Sequence, residues 1–279
     1  MKDLNGAVAV VAGGSRGAGR GIALSLGDAG ATVYVTGRSV RGATTENVPG
    51  SIDETAEEVT ARGGIGIAAR CDYTVAEDVE ALFERVRSEQ GRLDILVNSA
   101  WGGNEKYDGR RFDDGTTYAN PFWEQSLERW ESMFTRGVRS YIVASRYAVP
   151  LMLQGKSGLI VNVSFDDNGR YIGHLYYDLA KSTMNRLAFA MAQELRGHGI
   201  AAIALSPGHM RTERVLAVEG LDLSDTESTE YIGRAVVALA TDPDVMTKSG
   251  GIHAVGALAR EYGFTDVDGT QPPPFVMPG

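Results

Sequence analysis

Residues 7–20 read AVAVVAGGSRGAGR and place a glycine-rich segment directly after a short apolar run. The run is rich in valine and predicts a buried strand, and residues 17–29 continue with the apolar spacing of a helix. Gly13, Gly17 and Gly19 therefore lie between a strand and a helix, where bare backbone N–H groups and a helix N-terminus can bind a phosphate. This context predicts a dinucleotide-binding site near the start of the chain.

Residues 13–17 also match G-x-S-x-G, the nucleophile elbow of hydrolases, with Ser15 as the nucleophile. Two observations favour the cofactor site over the elbow. An elbow does not require Gly19, and it normally follows a strand inside the sheet rather than the first strand. A structural turn without a ligand is the third interpretation. In the favoured interpretation, Ser15 and Arg16 contact the cofactor together with the glycines.

The rest of the chain continues this alternation of short apolar runs and amphipathic stretches. Strands are predicted over residues 32–36, 65–69, 95–98, 159–163 and 201–205, with 250–255 completing the sheet. Helices are predicted over residues 52–62 (after a capping box formed by Ser51 and Glu54), 76–89, 130–153, 176–196 and 229–240. Residues 101–125 are predicted as a long loop and residues 266–279 as an extended arm. This order predicts one α/β domain over residues 1–279: a Rossmann-type, doubly wound, mainly parallel seven-stranded sheet with helices on both faces.

Composition and charge exclude several classes of protein. The 279 residues include 27 basic and 36 acidic side chains, a net charge of −9, which argues against nucleic acid and anionic membranes as partners. Cys71 is the single cysteine, so no disulfide can form within the chain, and we expect a cytoplasmic protein. No window reaches the ~18 apolar residues of a membrane helix, and the first apolar run is too short for a signal peptide. We therefore expect a soluble, unprocessed chain.

The end of the second predicted strand indicates which dinucleotide binds. Residues 36–41 read TGRSVR and contain no acidic residue, whereas an NAD site usually places one there for the ribose 2′-hydroxyl. Arg38 in this segment and Arg16 in the glycine loop carry planar guanidinium groups that suit a 2′-phosphate. The sequence therefore favours NADP(H) over NAD(H) as the cofactor.

A tyrosine, a lysine and a serine form the second chemical signal. Tyr177 and Lys181 are four residues apart on a predicted helix, which places the phenol and the ammonium on one face. A tyrosine ordinarily ionises near pH ~10, and a neighbouring ammonium favours the phenolate and so assists proton transfer. Ser164 precedes Tyr177 by thirteen residues and ends a predicted strand, where its hydroxyl can bond a substrate carbonyl. The three side chains predict acid–base chemistry at a carbonyl or alcohol.

These signals together resemble the short-chain dehydrogenase/reductase family, and the resemblance covers nearly the whole chain. The glycine loop is similar to the family pattern T-G-x-x-x-G-x-G, with Ala12 in place of the threonine. The resemblance implies that Ser164 orients the carbonyl, Tyr177 transfers the proton and Lys181 binds the cofactor ribose. It also implies cofactor contacts from Asp72 at the adenine, from Asn98 and Ala100 in a segment similar to N-N-A-G, and from Pro207, Gly208 and Thr212 in a segment similar to P-G-x-x-x-T. We expect a small-molecule substrate with a carbonyl or alcohol group, and a homodimer or homotetramer.

One departure from the family pattern concerns position 137. The family often carries a catalytic asparagine seven residues after a tryptophan, where it holds a water that relays protons to the lysine. Counting seven from Trp130 reaches Gly137, so the relay is in doubt, although hydride transfer is not. Residues 17–24, 236–243 and 258–269 resemble one subgroup of the family that also shows glycine there. That likeness implies NADPH-dependent reduction of bulky carbonyl compounds, including steroids and xenobiotics.

Several functional alternatives stay open at this point. A non-catalytic nucleotide-sensing module is the second hypothesis, motivated by the missing asparagine and the altered N-N-A-G segment, and a serine hydrolase using Ser15 is the third. The four histidines have no metal-ligand spacing, and we expect structural roles for them and no metal. The aromatic residues of the long loop either line an apolar substrate pocket or pack on the domain or a subunit interface: Trp101, Tyr107, Phe112, Tyr118, Phe122 and Trp123.

Overall fold

The computed structural model describes residues 3–275, and parallel strands form its centre. Its strands are β1 (Val8–Ala12), β2 (Thr32–Gly37), β3 (Ile65–Arg70), β4 (Ile95–Asn98), β5 (Gly158–Val163), β6 (Ile200–Ser206), β7 (His209–Met210), β8 (Thr226–Glu227) and β9 (Ile252–Ala254). Seven of them form one all-parallel sheet in the order β3-β2-β1-β4-β5-β6-β9, and β7 pairs with β8 beside it. The strand order reverses between β1 and β4, and in such sheets the crevice at the carboxyl ends of these strands is where ligands bind.

Helices cover both faces of the sheet. They are α1 (Gly17–Asp28), α2 (Ile52–Ala61), α3 (Ala76–Gln90), α4 (Glu128–Trp130), α5 (Ser140–Gly155), α6 (Leu175–Leu195), α7 (Glu213–Leu216), α8 (Thr229–Ala240) and α9 (Val255–Tyr262). The α/β fold with a Rossmann-type sheet is confirmed, and the sheet is fully parallel rather than mainly parallel. The capping box predicted before α2 is present, because Ser51 and Glu54 each accept a bond from the other's backbone N–H.

Alternating residues of the strands supply two separate cores, one on each face. Ala9 and Val11 of β1 pack with Ile22 of α1 and Ile232 of α8. Val10 points the other way and joins a cluster that includes residues of α3 and α5. Because both faces are covered, the central strands are apolar along their whole length, and this explains the continuous apolar runs of the sequence.

The sequence-based boundaries were wrong mainly in two regions. The helix predicted over residues 130–153 is interrupted, because a π-helix occupies Glu131–Arg139 between α4 and α5. A π-helix has more residues per turn than an α-helix, but nine residues are too few for the apolar pattern to tell the two apart. The helix α9 and the short elements β7, α7 and β8 were not predicted, since each is too short to show a clear period.

The predicted arm over residues 266–279 packs against the domain as far as it is described. The buried Asp266 carboxylate accepts a bond from the backbone N–H of Ser228 at 2.8 Å, at the start of α8. Tyr231 donates to the Pro272 carbonyl at 3.1 Å, and residues 276–279 of the arm lie outside the described residues. Within residues 3–275, no helix has the length and apolar character needed to cross a membrane.

Candidate active site

A cleft with a volume of about 360 Å³ opens at the carboxyl ends of the central strands. The predicted site residues that line it are Gly13, Ser15, Arg16, Gly17, Arg38, Asp72, Ala100, Ser164, Tyr177, Lys181, Pro207, Gly208 and Thr212. The structure therefore brings together residues that are up to about two hundred positions apart in the sequence. Two predicted residues, Gly19 and Asn98, do not line the cleft and instead pack directly beneath it.

The glycine loop is held by backbone contacts too close for side chains. A methyl group at Gly19 would lie 2.1 Å from the carbonyl oxygen of Gly13 and 2.8 Å from its carbonyl carbon. At Gly13, which has a φ of +80°, a methyl group would lie 2.8 Å from the backbone of Ala100 after β4. These approaches bring the start of α1 close to β1 and keep the floor of the cleft free of side chains.

The N-terminus of α1 points into the cleft and already contacts an anionic group. The N–H of Gly17 donates to a carboxylate oxygen of Glu213 at 2.8 Å. The first N–H groups of a helix have no partner within the helix, and the helix dipole favours negative charge at this end. This carboxylate thus occupies a place that also suits a phosphate, which supports the fit of this loop to a dinucleotide.

Two arginines lie where β2 ends. Arg16 donates to the Ser39 hydroxyl at 2.6 Å, and Arg38 forms an ion pair with Glu105 of the long loop. Glu105 also lies 3.6 Å from the guanidinium of Arg136, so it lies between two cations. Two carboxylates are therefore bound in this cleft: that of Glu213 at the N-terminus of α1 and that of Glu105 on Arg38.

Asn98, from which we expected a cofactor contact, is buried beneath the cleft and does not line it. Its side chain is completely buried and donates to the Asn162 side chain at 2.9 Å and to the Ser145 hydroxyl at 3.1 Å. Asn162 in turn donates to the backbone carbonyl of Met184 in α6 at 3.2 Å. The amide therefore connects the ends of β4 and β5 with α5 and α6, beneath the cleft.

Ser164, Tyr177 and Lys181 meet on the opposite wall from the glycine loop. Ser164 directly follows β5, and its buried hydroxyl donates to the backbone carbonyl of Lys181 at 3.1 Å. Tyr177 and Lys181 lie in the first two turns of α6. Burial raises the pKa of Tyr177 to about 12 and lowers the pKa of Lys181 to about 8, because a buried site disfavours either charge. At neutral pH the phenol therefore holds its proton and the ammonium keeps its charge.

His174 caps α6 and is a site residue whose role the sequence did not reveal. Its Nδ1 accepts a bond from the backbone N–H of Tyr177 at 3.1 Å, which fixes the first turn of the helix. Burial is the main cause that lowers the pKa of His174 to about 4. The neutral ring that this bond requires is thus the stable form near pH 7. Histidine is an uncommon cap residue, so the usual capping signals gave no indication.

Glu227 is a second residue that sequence analysis missed. It is buried behind the Pro207–Gly208 segment, where a methyl group at Gly208 would lie 2.8 Å from its carboxylate. Burial raises the pKa of Glu227 to about 7, with the nearby Asp266 acting in the same direction. Its position became visible only once the β7–β8 pair placed it there, because residues 207 and 227 are separated by an irregular segment.

The aromatic residues of the long loop divide into two groups. Trp101 and Tyr118 pack against Tyr177 with ring centroids 5.7 Å and 6.2 Å away, and Tyr118 also packs on His174 at 4.8 Å. Tyr107 and Phe112 support Tyr118 from behind, with centroids at 5.1 Å from it. In contrast, Phe122 and Trp123 are exposed. In the first group Trp101 lines the cleft and the other rings pack behind Tyr177, whereas the second group lies on the surface.

Comparison with known proteins shows similarity to dehydrogenases and reductases in sequence and in fold. The family model described as short chain dehydrogenase matches residues 7–220. The human protein named "Dehydrogenase/reductase SDR family member 1" is 38% identical over 281 residues, covering 95% of this chain and 85% of its own length. The Arabidopsis thaliana protein named "NADPH-dependent aldehyde reductase-like protein, chloroplastic" is 29% identical and covers 75% of this chain and 74% of its own. A crystal structure of a putative dehydrogenase from Xanthomonas campestris superimposes with a TM-score of 0.82 at 24% identity, covering 99% of both chains, and shows the same fold.

Proposed function

The chain belongs to the short-chain dehydrogenase/reductase family, and from this premise we propose that it is an NADP(H)-dependent carbonyl reductase with Tyr177 as its acid–base group. The membership makes the chain an oxidoreductase acting on carbonyl or alcohol groups. It thereby decides against the nucleotide-sensing module and against the serine hydrolase. The cofactor preference, the residue roles and the substrate class are the parts that we propose.

The glycine loop, with Ser15, Arg16 and Gly17, holds the cofactor phosphates, and Asp72, Ala100, Pro207, Gly208 and Thr212 contact its remaining parts. When bound, the nicotinamide supplies or takes up the hydride. Binding displaces Glu213 from the N–H of Gly17, because the two linked phosphates of the cofactor together carry two negative charges and the carboxylate carries one. The backbone-lined floor of the cleft supports this assignment. Gly19 and Asn98 act from beneath, by keeping the loop and the strand ends in place.

Tyr177 donates its phenolic proton to the carbonyl oxygen during reduction and takes it back during oxidation. Its pKa of about 12 keeps it protonated at neutral pH, and the charge on Lys181 stabilises the phenolate left after donation. Ser164 turns its hydroxyl from the Lys181 carbonyl to the substrate oxygen and so orients it. Each role follows from where the side chain lies in the cleft.

The preference for NADP(H) rests on Arg38 and on the absence of an acidic residue at the end of β2. The printed name of the Arabidopsis relative, an NADPH-dependent reductase-like protein, is consistent with this preference. A bulky or apolar ketone, aldehyde or steroid-like substrate is supported by the rings of Trp101 and Tyr118 beside Tyr177.

Assembly and location are further parts of the proposal. Large apolar side chains are exposed around α4 and α5, namely Trp123, Leu127, Trp130 and Ile142. Such a patch supports a homodimer or homotetramer, and light scattering after size-exclusion chromatography measures the mass directly. The acidic balance and the single cysteine support a cytoplasmic protein. We propose that residues 1–279 form one domain, which a single cooperative unfolding transition would support.

The convergence of Tyr177 and Lys181 with the glycine loop in one cleft carries the proposal. The test follows NADPH oxidation with a panel of ketones, aldehydes and steroids for the wild type and for Tyr177→Phe. We expect the variant to bind NADPH normally and to lose about 10²–10⁴-fold in kcat. Tyr176→Phe is the control. Tyr176 is next to Tyr177 in the sequence but packs in the core, so this variant should retain activity. No oxidation with any carbonyl compound, or full activity in Tyr177→Phe, would contradict the proposal.

A further inference from the structure

The space beside Gly137 is filled by the indole ring of Trp101. A methyl group at Gly137 would lie 2.9 Å from both Cε3 and Cζ3 of Trp101 and 3.3 Å from the terminal carbon of Met184. The first two distances are shorter than carbon atoms tolerate without movement. Gly137 lies in the π-helix and Trp101 follows β4, so two separate elements meet here. Position 137 therefore has no room for a side chain while the ring stays where it is.

The same indole contacts both proposed acid–base residues. The Nζ of Lys181 lies over the ring, 4.3 Å from its centroid, which is well within the range of a cation–π contact. The ring of Tyr177 stands nearly perpendicular to it, at 87° and 5.7 Å between centroids. This is the favoured edge-to-face arrangement of aromatic rings. One side chain thus touches the ammonium and restricts the phenol ring at once.

Lys181 has little else to stabilise its charge. Its side chain is buried, and desolvation lowers its pKa with no charged partner among the described residues to oppose the shift. The titratable groups around Tyr177 and Lys181 are the phenols of Tyr118 and Tyr141 and the imidazole of His174, which is neutral at pH 7. No salt bridge joins Lys181 to a carboxylate within residues 3–275. Two ring faces lie near the ammonium, and the indole at 4.3 Å is closer than the Tyr177 ring at 5.5 Å, so we expect the indole to offset more of the cost of burial.

We propose that Trp101 is a positioning residue, which holds Lys181 on its indole face and Tyr177 in an edge-to-face contact, and that Gly137 is small in order to admit it. The inference rests on the proposed roles of Tyr177 and Lys181. It also gives a physical account of the missing side chain at position 137: a ring from another element takes that space and contacts the lysine directly.

The first test measures the pKa of Lys181 in the cofactor-free protein. The rate at which acetic anhydride acetylates Lys181, with acetate as the leaving group, is followed against pH by mass spectrometry of the peptide that contains it. We expect Trp101→Leu to lower the midpoint by about one pH unit, since the ring stabilises the charged form, and Trp101→Phe to lower it less. Trp123→Leu is the matched control, because Trp123 belongs to the same loop but is 73% exposed, and its ring packs on Phe122. Equal midpoints in Trp101→Leu and Trp123→Leu would overturn the proposal.

The second test examines the packing of Trp101 on Gly137 with a double-mutant cycle. Gly137→Ala alone should lower the melting temperature by several degrees, and should cost much less in the Trp101→Leu background. The same cost in both backgrounds would show that the ring does not limit position 137 and would overturn that part. The readouts need no turnover. If Tyr177→Phe were active while the Lys181 midpoint still moved, the proposed function would fail and the positioning by Trp101 would stand.

Discussion

The two walls of the cleft are built from different materials. The wall at residues 13–19, the backbone wall, takes its shape from the backbone at Gly13 and Gly19, where approaches to neighbouring backbone leave no room for a side chain, although Ser15 and Arg16 also line it. The wall at Tyr177, the side-chain wall, consists of side chains: Trp101 and Tyr118 pack against the Tyr177 ring, and His174 packs on Tyr118 and caps the helix that carries Tyr177. In the proposed function, the backbone of the glycine loop meets the cofactor phosphates, whereas particular side chains hold the reacting groups. Substitutions should therefore act on the two walls in different ways.

The largest effect is expected at the backbone wall. Gly19→Ala would place a methyl group 2.1 Å from the carbonyl oxygen of Gly13, and the backbone cannot move aside as a side chain could. We expect a loss of about 3 kcal/mol in the free energy of unfolding in urea and a large loss of NADPH binding by calorimetry. Gly155→Ala is the control, because a methyl group there meets no atom within 4 Å. Similar losses in both variants would remove the distinction between the walls.

At the side-chain wall, acid should weaken the protein through His174. Its folded pKa of about 4 lies below the ordinary 6.5, so between these values the unfolded chain binds a proton that the folded protein does not. Stability therefore falls as pH decreases, by about 2 kcal/mol between pH 7.5 and 5. Asn caps a helix without titrating, so His174→Asn should lack this part of the loss in urea unfolding. Glu227 titrates in the opposite sense in both proteins and cancels in the difference. Equal pH slopes would contradict the prediction.

Arg38 tests whether the backbone wall ends in a site for the 2′-phosphate. Arg38→Leu should weaken NADPH binding about 10–100-fold, as expected for a lost charged hydrogen bond, and should leave NADH binding nearly unchanged. Fluorescence titration of each cofactor measures both dissociation constants. Arg41→Leu is the control, since Arg41 forms its ion pair with Glu57 on the surface. An equal loss for NADPH and NADH would refute the role of Arg38.

The smallest effects are expected at the two carboxylates already bound in the cleft, Glu105 on Arg38 and Glu213 on Gly17. Glu105→Gln frees Arg38 and should strengthen binding of NADPH alone, whereas Glu213→Gln frees the N–H of Gly17 and should strengthen NADPH and NADH alike. Each gain should be a few-fold, the size of a partly exposed ion pair. The same titrations compare the two variants. A gain of equal size for both cofactors in Glu105→Gln would contradict the pairing with the 2′-phosphate.

The backbone wall was largely predictable from the sequence, because its signals are local. A strand, three glycines and a helix follow one another within residues 7–29, and each has a distinct pattern. The same holds for the pair Tyr177 and Lys181, which one helix brings together. Local order alone therefore predicted the fold and the place of the cleft, and thirteen of the predicted site residues line it.

The side-chain wall was not predictable in its details, since its contacts join distant parts of the chain. Gly137 and Trp101 were each noticed, but nothing in the sequence indicates that the ring of one fills the space beside the other. The π-helix that carries Gly137 has no signal of its own in the apolar period. Glu213 lines the cleft from α7 and Glu227 lies buried behind it in β8, two elements too short for periodicity to reveal. Contacts between residues far apart in the sequence can be assigned only once the fold is known.

The carboxylates of Glu105 and Glu213 have a consequence for ionic strength. In the proposed site, the phosphates of the cofactor replace two anionic groups that are already bound, so uptake is an exchange of anions. Dissolved salt screens the attraction between the phosphates and the protein, and it equally screens the two contacts that are given up. These opposing changes make the dissociation constant of NADPH less sensitive to salt than that of a cleft with free cations. Affinity for the cofactor is thereby moderated at low salt and retained as salt rises.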